Sequence, residues 1–158
     1  MSHARPFALA FALLFAISCS TPVDLKQVLQ VTDVSSGYFD AGVTAEGANK
    51  LVPSVTFRLR DSSGKLSRVA LNVVFRVAAS GEDKDEIFKQ RVDLADGQTE
   101  LLTLRSQAGF TGTPPQSRLE MLKNSNFQDM EAVIMVREVA AQWLELHRIP
   151  IERQLLTK

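Results

Sequence analysis

The sequence predicts an all-β fold, a sandwich of about seven short strands, on three observations. Residues 51–60 and 66–78 alternate apolar and polar side chains with a period of two, as strands with one dry and one wet face do. Clusters of Gly, Pro, Asn, Asp and Ser punctuate the chain between such runs. No stretch carries the sustained spacing of a long amphipathic helix. Short strands separated by turn signals fit a sandwich better than a barrel or an α/β fold. At 158 residues the chain fits one domain, with neither a repeat nor a low-complexity tract.

In chain order, Val28, Leu29, Val31 and Val34 supply apolar residues of mixed period, read as a first strand, and Tyr38 and Phe39 then lie between Gly37 and Gly42. Residues 46–50 form a polar turn. In the strand 51–60, Leu51, Val55, Phe57 and Leu59 share one parity and Ser54, Thr56, Arg58 and Arg60 the other, with Pro53 implying an edge or an unpaired amide. Residues 61–65 are rich in reversal-forming types. Val69, Leu71, Val73, Phe75 and Val77 line one face of the strand 66–78, so the two strands are expected to pair as a hairpin.

Residues 80–86 read as a charged loop, 87–92 as a short strand, 93–98 as a turn and 99–105 as a strand. Gly109, Gly112 and the Pro114-Pro115 pair exclude helix from 106–115, whereas 115–124 has room for one short helical turn. Strands resume at 131–138 and 142–156, the last bent or ended by Pro150.

The N-terminus has a different character. Arg5 precedes an unbroken apolar run at 7–17, far short of the roughly 20 residues that span a bilayer but within the 7–15 or so of an export segment. Ala16-Ile17-Ser18-Cys19 then resembles the lipobox of bacterial lipoproteins. The resemblance implies cleavage before Cys19 and a lipid on that residue, and Ser20 resembles the outer-membrane sorting class. Several acyl chains give the stable anchoring that a single chain does not. The expected organisation is a signal peptide at 1–18, a lipid-anchored tether at 19–27 and one β-sandwich domain at 28–158.

The run 50–77, with Val55, Phe57, Leu59, the Ser62-Ser63-Gly64 turn, Val69, Leu71, Val73 and Phe75, resembles the centre of small immunoglobulin-like or fibronectin-like domains of the FxLYD and LEA14-like kind. It implies an immunoglobulin-like sandwich. The wider pattern of "SSGYFDAG", "LVPSVTFRLR", "LRSQAGFTG" and "IPIERQLL" resembles bacterial lipoproteins of similar length.

The chemistry is sparse. With Lys plus Arg at 18 and Asp plus Glu at 18, no global charge favours nucleic acid, and one cysteine excludes an intrachain disulfide. His3 lies in the export segment, so His147 is the single histidine beyond it and cannot by itself form a zinc cluster. The acidic run 82–86 lacks the spaced pattern of a calcium loop and is interrupted by Lys84. Glu120 and Glu131 are the carboxylates to weigh as a glycosidase pair. No phosphate or dinucleotide fingerprint occurs, and no cofactor is expected.

Candidate contact residues remain. Arg58, Arg60, Arg68 and Arg76 are read either as a basic stripe for an acidic partner or an anionic lipid headgroup, or as a solvated face. Phe110, in the Gly-rich stretch 106–115, either plugs the core or anchors a partner. Tyr38 and Phe39 pose the same choice. The expected protein is a non-catalytic envelope lipoprotein with a binding or structural role. The alternatives are a carrier holding an apolar ligand or lipid among Phe57, Phe75 and Trp143, and a hydrolase using carboxylates or His147.

Overall fold

A computed structural model describes residues 23–156, and the expected signal segment and Cys19 lie outside them. The fold is an all-β, immunoglobulin-like sandwich. After a single helical turn, α1 (Leu25–Val28), come β1 (Leu29–Val43), β2 (Asn49–Asp61), β3 (Arg68–Val77), β4 (Asp83–Asp93), β5 (Leu102–Arg105) and β6 (Phe110–Gly112). Helix α2 (Arg118–Lys123) precedes β7 (Met130–Arg137), β8 (Leu144–Pro150) and β9 (Leu155–Leu156). Among these residues no helix is long and apolar enough to cross a membrane.

One sheet has the order β5-β2-β1-β9, with β6 also pairing β2, and the other has the order β4-β3-β7-β8. All pairs are antiparallel except β1 with β9. Tyr38, Leu51, Val55, Phe57 and Leu59 from the first sheet meet Leu71, Val73, Phe75, Ile134 and Val136 from the second, all fully buried. Each such side chain contributes about 1.5–3 kcal/mol of burial free energy.

The hairpin expected between 51–60 and 66–78 is not formed: β2 and β3 lie in different sheets. Alternation shows which side chains face the core, and it reads the same whether two strands lie side by side or face each other across a sandwich. The connection is an arch built on Asp61. Its carboxylate accepts from the Ser63 amide (2.8 Å), the Ser63 hydroxyl (2.7 Å) and the buried Leu66 amide (2.9 Å). Leu66 then turns its side chain into the core.

Strand β1 is longer than the first strand expected, continuing through Tyr38 and Phe39 to Val43. Its mixed period has a cause: the register with β2 shifts between Thr32 and Ser35, where Asp33 takes a φ of 53°. Such a bulge moves the inward parity by one residue. Leu29 faces the core before it, Ser36 and Tyr38 after it, and Val34 is left exposed. Leu25, expected in the tether, is buried with the core.

Strand β4 begins at Asp83, inside the expected loop 80–86, because Arg76, Phe75 and Val74 of β3 continue the ladder with Asp83, Asp85 and Glu86. At the far end of the chain, Pro150 closes β8. The chain then crosses to the first sheet, where the Tyr38 amide donates to the Gln154 carbonyl at 2.8 Å and β9 follows.

The register defines two ends. Around α1 lie the arch 61–67, the turn 94–98 and the loop 138–143; at the other end lie the turns 44–48 and 78–82 and the irregular stretch 106–129. The 13 residues of β2 separate them by about 40 Å.

Burial opposes ionisation of Asp61, but the Ser63 hydroxyl and the amides of Leu66, Ser63 and Lys65 outweigh it and hold the carboxyl below the usual carboxylate range. A depressed folded-state value stabilises the fold above the unfolded value of about 3.9, and that contribution is lost as pH falls through the lower folded-state value. Asp61→Ala is therefore expected to lower unfolding stability by about 1–3 kcal/mol at neutral pH. In urea titrations its gap from wild type should narrow in acid below about pH 4. Equal stability at neutral pH would remove Asp61 as the organiser of the arch.

Candidate functional site

At the end remote from α1, three aromatic rings close the sandwich. Tyr38 packs edge-on against Phe127 with centroids 4.8 Å apart and against Phe110 at 6.1 Å, while Phe110 and Phe127 meet at 4.3 Å. Tyr38 is fully buried, and its hydroxyl has no hydrogen-bond partner among the described residues. Burial, assisted by the charge of Asp129, pushes the phenol well above its ordinary range, so it stays neutral.

Arg153 holds the backbone around this cluster. Its guanidinium donates to Asp129 (2.7 Å) and to the carbonyls of Phe127 (2.8 Å), Asn124 (3.3 Å) and Leu122 (3.4 Å), 5.4 Å from the Phe127 ring centroid. Asp85 clamps the start of the Phe110 stretch, accepting from the Ser106 hydroxyl (2.8 Å) and the Gln107 amide (2.6 Å). Burial opposes ionisation of Asp85, yet these donors and the amides of Glu86 and Ala108 keep its carboxyl below the usual range. The Asn49 side-chain amide donates to the Gln116 carbonyl at 2.8 Å. The expected helical turn is α2, opened by a capping box in which Ser117 and Glu120 satisfy each other's backbone amides.

The glycines here are structural. A Cβ on Gly109 would run into the Leu51 carbonyl oxygen, and one on Gly112 would come within 2.6 Å of Met121 Sδ. They let the Phe110 stretch lie flat on the edge of β2.

Half-buried Phe110 is the wall between two notches. One, of about 180 Å³, is lined by Phe110, Met121 and Phe127 together with Thr111, Gln116, Asn124 and Asn126. The other, of about 210 Å³, is lined by Phe110 with Ala108, Gly109, Met130, Lys84 and Gln128. The first offers aromatic faces and neutral amides, a set that contacts ligand or partner surface without supplying an acid and base for proton transfer.

The structure separates the residues expected to act together. Arg58 and Arg60 lie on β2 and Arg76 on β3, so the basic stripe is divided between two sheets. Arg58 pairs with Asp33 at 3.2 Å, Arg76 with Asp83 at 2.9 Å, and Arg60 donates to Gln98 at 3.4 Å. Tyr38 is a core residue rather than a surface contact. Phe39 is half-buried under the Arg105 guanidinium, 3.6 Å from its ring centroid. Phe110, of the three aromatic candidates, lines both of these notches.

Phe57 and Phe75 fill the core, but Trp143 packs edge-on against Phe88, which lies opposite outward-facing Asn72, so the lining expected for an apolar cargo is not assembled. His147 is exposed on β8, Glu120 caps α2, and Glu131 pairs with Arg148 at 3.0 Å. Among the described residues no three His, Cys, Asp or Glu side chains converge as a metal site.

Phe127, Met121 and Arg153 are the site residues that sequence reasoning missed, and Asp85 is legible there only as part of the acidic run 82–86. Phe127 carries the same signal as Phe110, an aromatic residue in a turn-forming stretch. Nothing local marks Arg153, or marks Asp85 as a clamp, because the loop partners they hold lie 21 or more positions away. Comparison with family models, curated proteins and solved structures gives no match.

Tyr38→Phe removes a buried hydroxyl that has no partner among the described residues, and is expected to leave stability unchanged or raise it by about 1 kcal/mol. Phe110→Ala should lower it by about 2 kcal/mol, less than the roughly 3–5 for a fully buried ring. Chemical denaturation of both variants measures this, and a large loss in Tyr38→Phe would contradict the packing described.

Proposed function

We propose that this chain is an exported envelope lipoprotein, anchored through lipid on Cys19 at the periplasmic face of the outer membrane. Its sandwich acts as a non-catalytic binding or structural module. The observation that carries the reading is the arrangement of the two ends. The Cys19 segment leads into α1, whereas the Phe110 notches lie at the other end, about 40 Å away along β2. A domain tethered at one end presents the other to its surroundings.

The contact chemistry supports an envelope protein partner. Aromatic and Met side chains beside neutral amides are the composition of adaptable contact surfaces, and the notch between Phe110 and Phe127 carries no titratable group. Glu120 is engaged in the cap of α2, Glu131 is paired with Arg148 and His147 is exposed, which gives the hydrolase reading no support.

Intact mass and membrane fractionation of the chain expressed in a Gram-negative host, beside Cys19→Ala, test the anchor. A diacylglyceryl-sized mass increase on a chain beginning at Cys19, with membrane association lost in the variant, is expected. An unmodified soluble wild-type chain would overturn it.

A further inference from the structure

The end of the sandwich that carries α1 also carries a basic and apolar corner. Arg68 opens β3 opposite Asp93 of β4, and Ala70 lies opposite Arg137 of β7. Arg68, Arg91 and Arg137 surround a notch of about 350 Å³ whose apolar side is Ala70, Val139 and Ala140. The Arg137 guanidinium sits 4.6 Å from the Trp143 ring centroid, and Trp143 packs edge-on against Phe88 at 5.9 Å. Val139 is 86% exposed in the loop 138–143, and Phe88 is 53% exposed.

The charges of this corner are only partly balanced by pairing. Arg91 is held by Asp93 at 2.8 Å; the other acids within two positions of the corner in sequence are Glu86, which accepts from the Asn72 side chain at 3.3 Å, Glu138, and Glu145, which Arg148 holds at 2.7 Å. Arg68 and Arg137 have no ion pair among the described residues. Guanidinium groups match phosphate oxygens. A tryptophan with an adjacent cation and a projecting aliphatic residue is the chemistry of a membrane–water interface.

The chain itself brings this corner to a bilayer. Four peptide steps separate Cys19 from Val23, a reach of at most about 14 Å. Helix α1 follows directly and packs beside β8, which begins next to Trp143. A lipid on Cys19 therefore confines the corner to within a short distance of the headgroups.

We propose that the corner formed by Arg68, Arg91, Arg137, Val139, Trp143 and Phe88 is a second, noncovalent membrane contact that takes the phosphates of an anionic phospholipid surface. It rests on the lipid-anchor reading and adds an orientation to it: the outer face of the second sheet leans on the bilayer beside the anchor, and the Phe110 end points away.

Trp143 is the chain's one tryptophan, which makes the contact directly readable. The lipidated full chain, its modification verified by intact mass, is reconstituted into vesicles of phosphatidylcholine alone or mixed with phosphatidylglycerol. With phosphatidylglycerol, Trp143 emission is expected to shift to the blue and to be quenched by lipids brominated on their acyl chains. Both effects should fall to the phosphatidylcholine level in Arg68→Glu/Arg137→Glu and in Val139→Asp, with circular dichroism and thermal midpoint unchanged. An anchored chain whose Trp143 signal is the same in both vesicles and in the variants overturns the contact while leaving the anchor intact. A chain without lipid removes both. Shielding of Trp143 that appears only on adding an envelope protein assigns the face to a protein and overturns the lipid contact.

Discussion

The passage of the chain from one sheet to the other at Asp61 is the constraint on which the rest of the structure depends. Strands β2 and β3 hold the most regular dry faces in the molecule, and a tight turn would lay them side by side with no opposing layer. The Asp61 carboxylate prevents this by satisfying the amides of a wider arch. The same arch is tied to its surroundings: the Asp61 amide donates to the Gly97 carbonyl at 2.7 Å and the Ser62 amide to the Val28 carbonyl at 2.9 Å. Helix α1, arch and turn 94–98 thus form one hydrogen-bonded end, and with β2 and β3 held apart the other strands fill in around them.

The opposite end is built differently. Between β5 and β7 the chain has little ladder to satisfy its backbone, so side chains substitute for it. Arg153 gathers three carbonyls, Asp85 gathers two donors from the Phe110 stretch, and Ser117 with Glu120 completes the start of α2. Buried backbone polar groups must find such partners, and here long-range side chains supply them. The aromatic cluster seals the core beneath, leaving Phe110 half-buried between two notches.

This division of labour bears on function. The end near α1 combines cationic and interfacial side chains with a rigid arch. The other combines aromatic surface with neutral amides on an irregular stretch held by clamps. Rigid strands about 40 Å long keep the two apart, so a contact at one end need not disturb the other.

How much was legible beforehand depended on the range of the forces involved. Alternation at 51–60 and 66–78, the glycines and prolines of 106–115, the short helix after them and the stop at Pro150 are local properties, and the sequence by itself determined them, together with the all-β class. The apolar run 7–17 and Cys19 are likewise a local pattern, legible in the sequence and outside the described residues. Tertiary structure alone decided that β2 and β3 face each other, that β1 shifts parity at Asp33, and that Tyr38 belongs to the core while Phe110 reaches the surface. It also divided Arg58 and Arg60 from Arg76. The reason is physical: a period of two tells which side chains seek the same apolar interior, but the partner of a strand, and of an Asp85 or Arg153, is chosen by contacts among residues far apart in the chain.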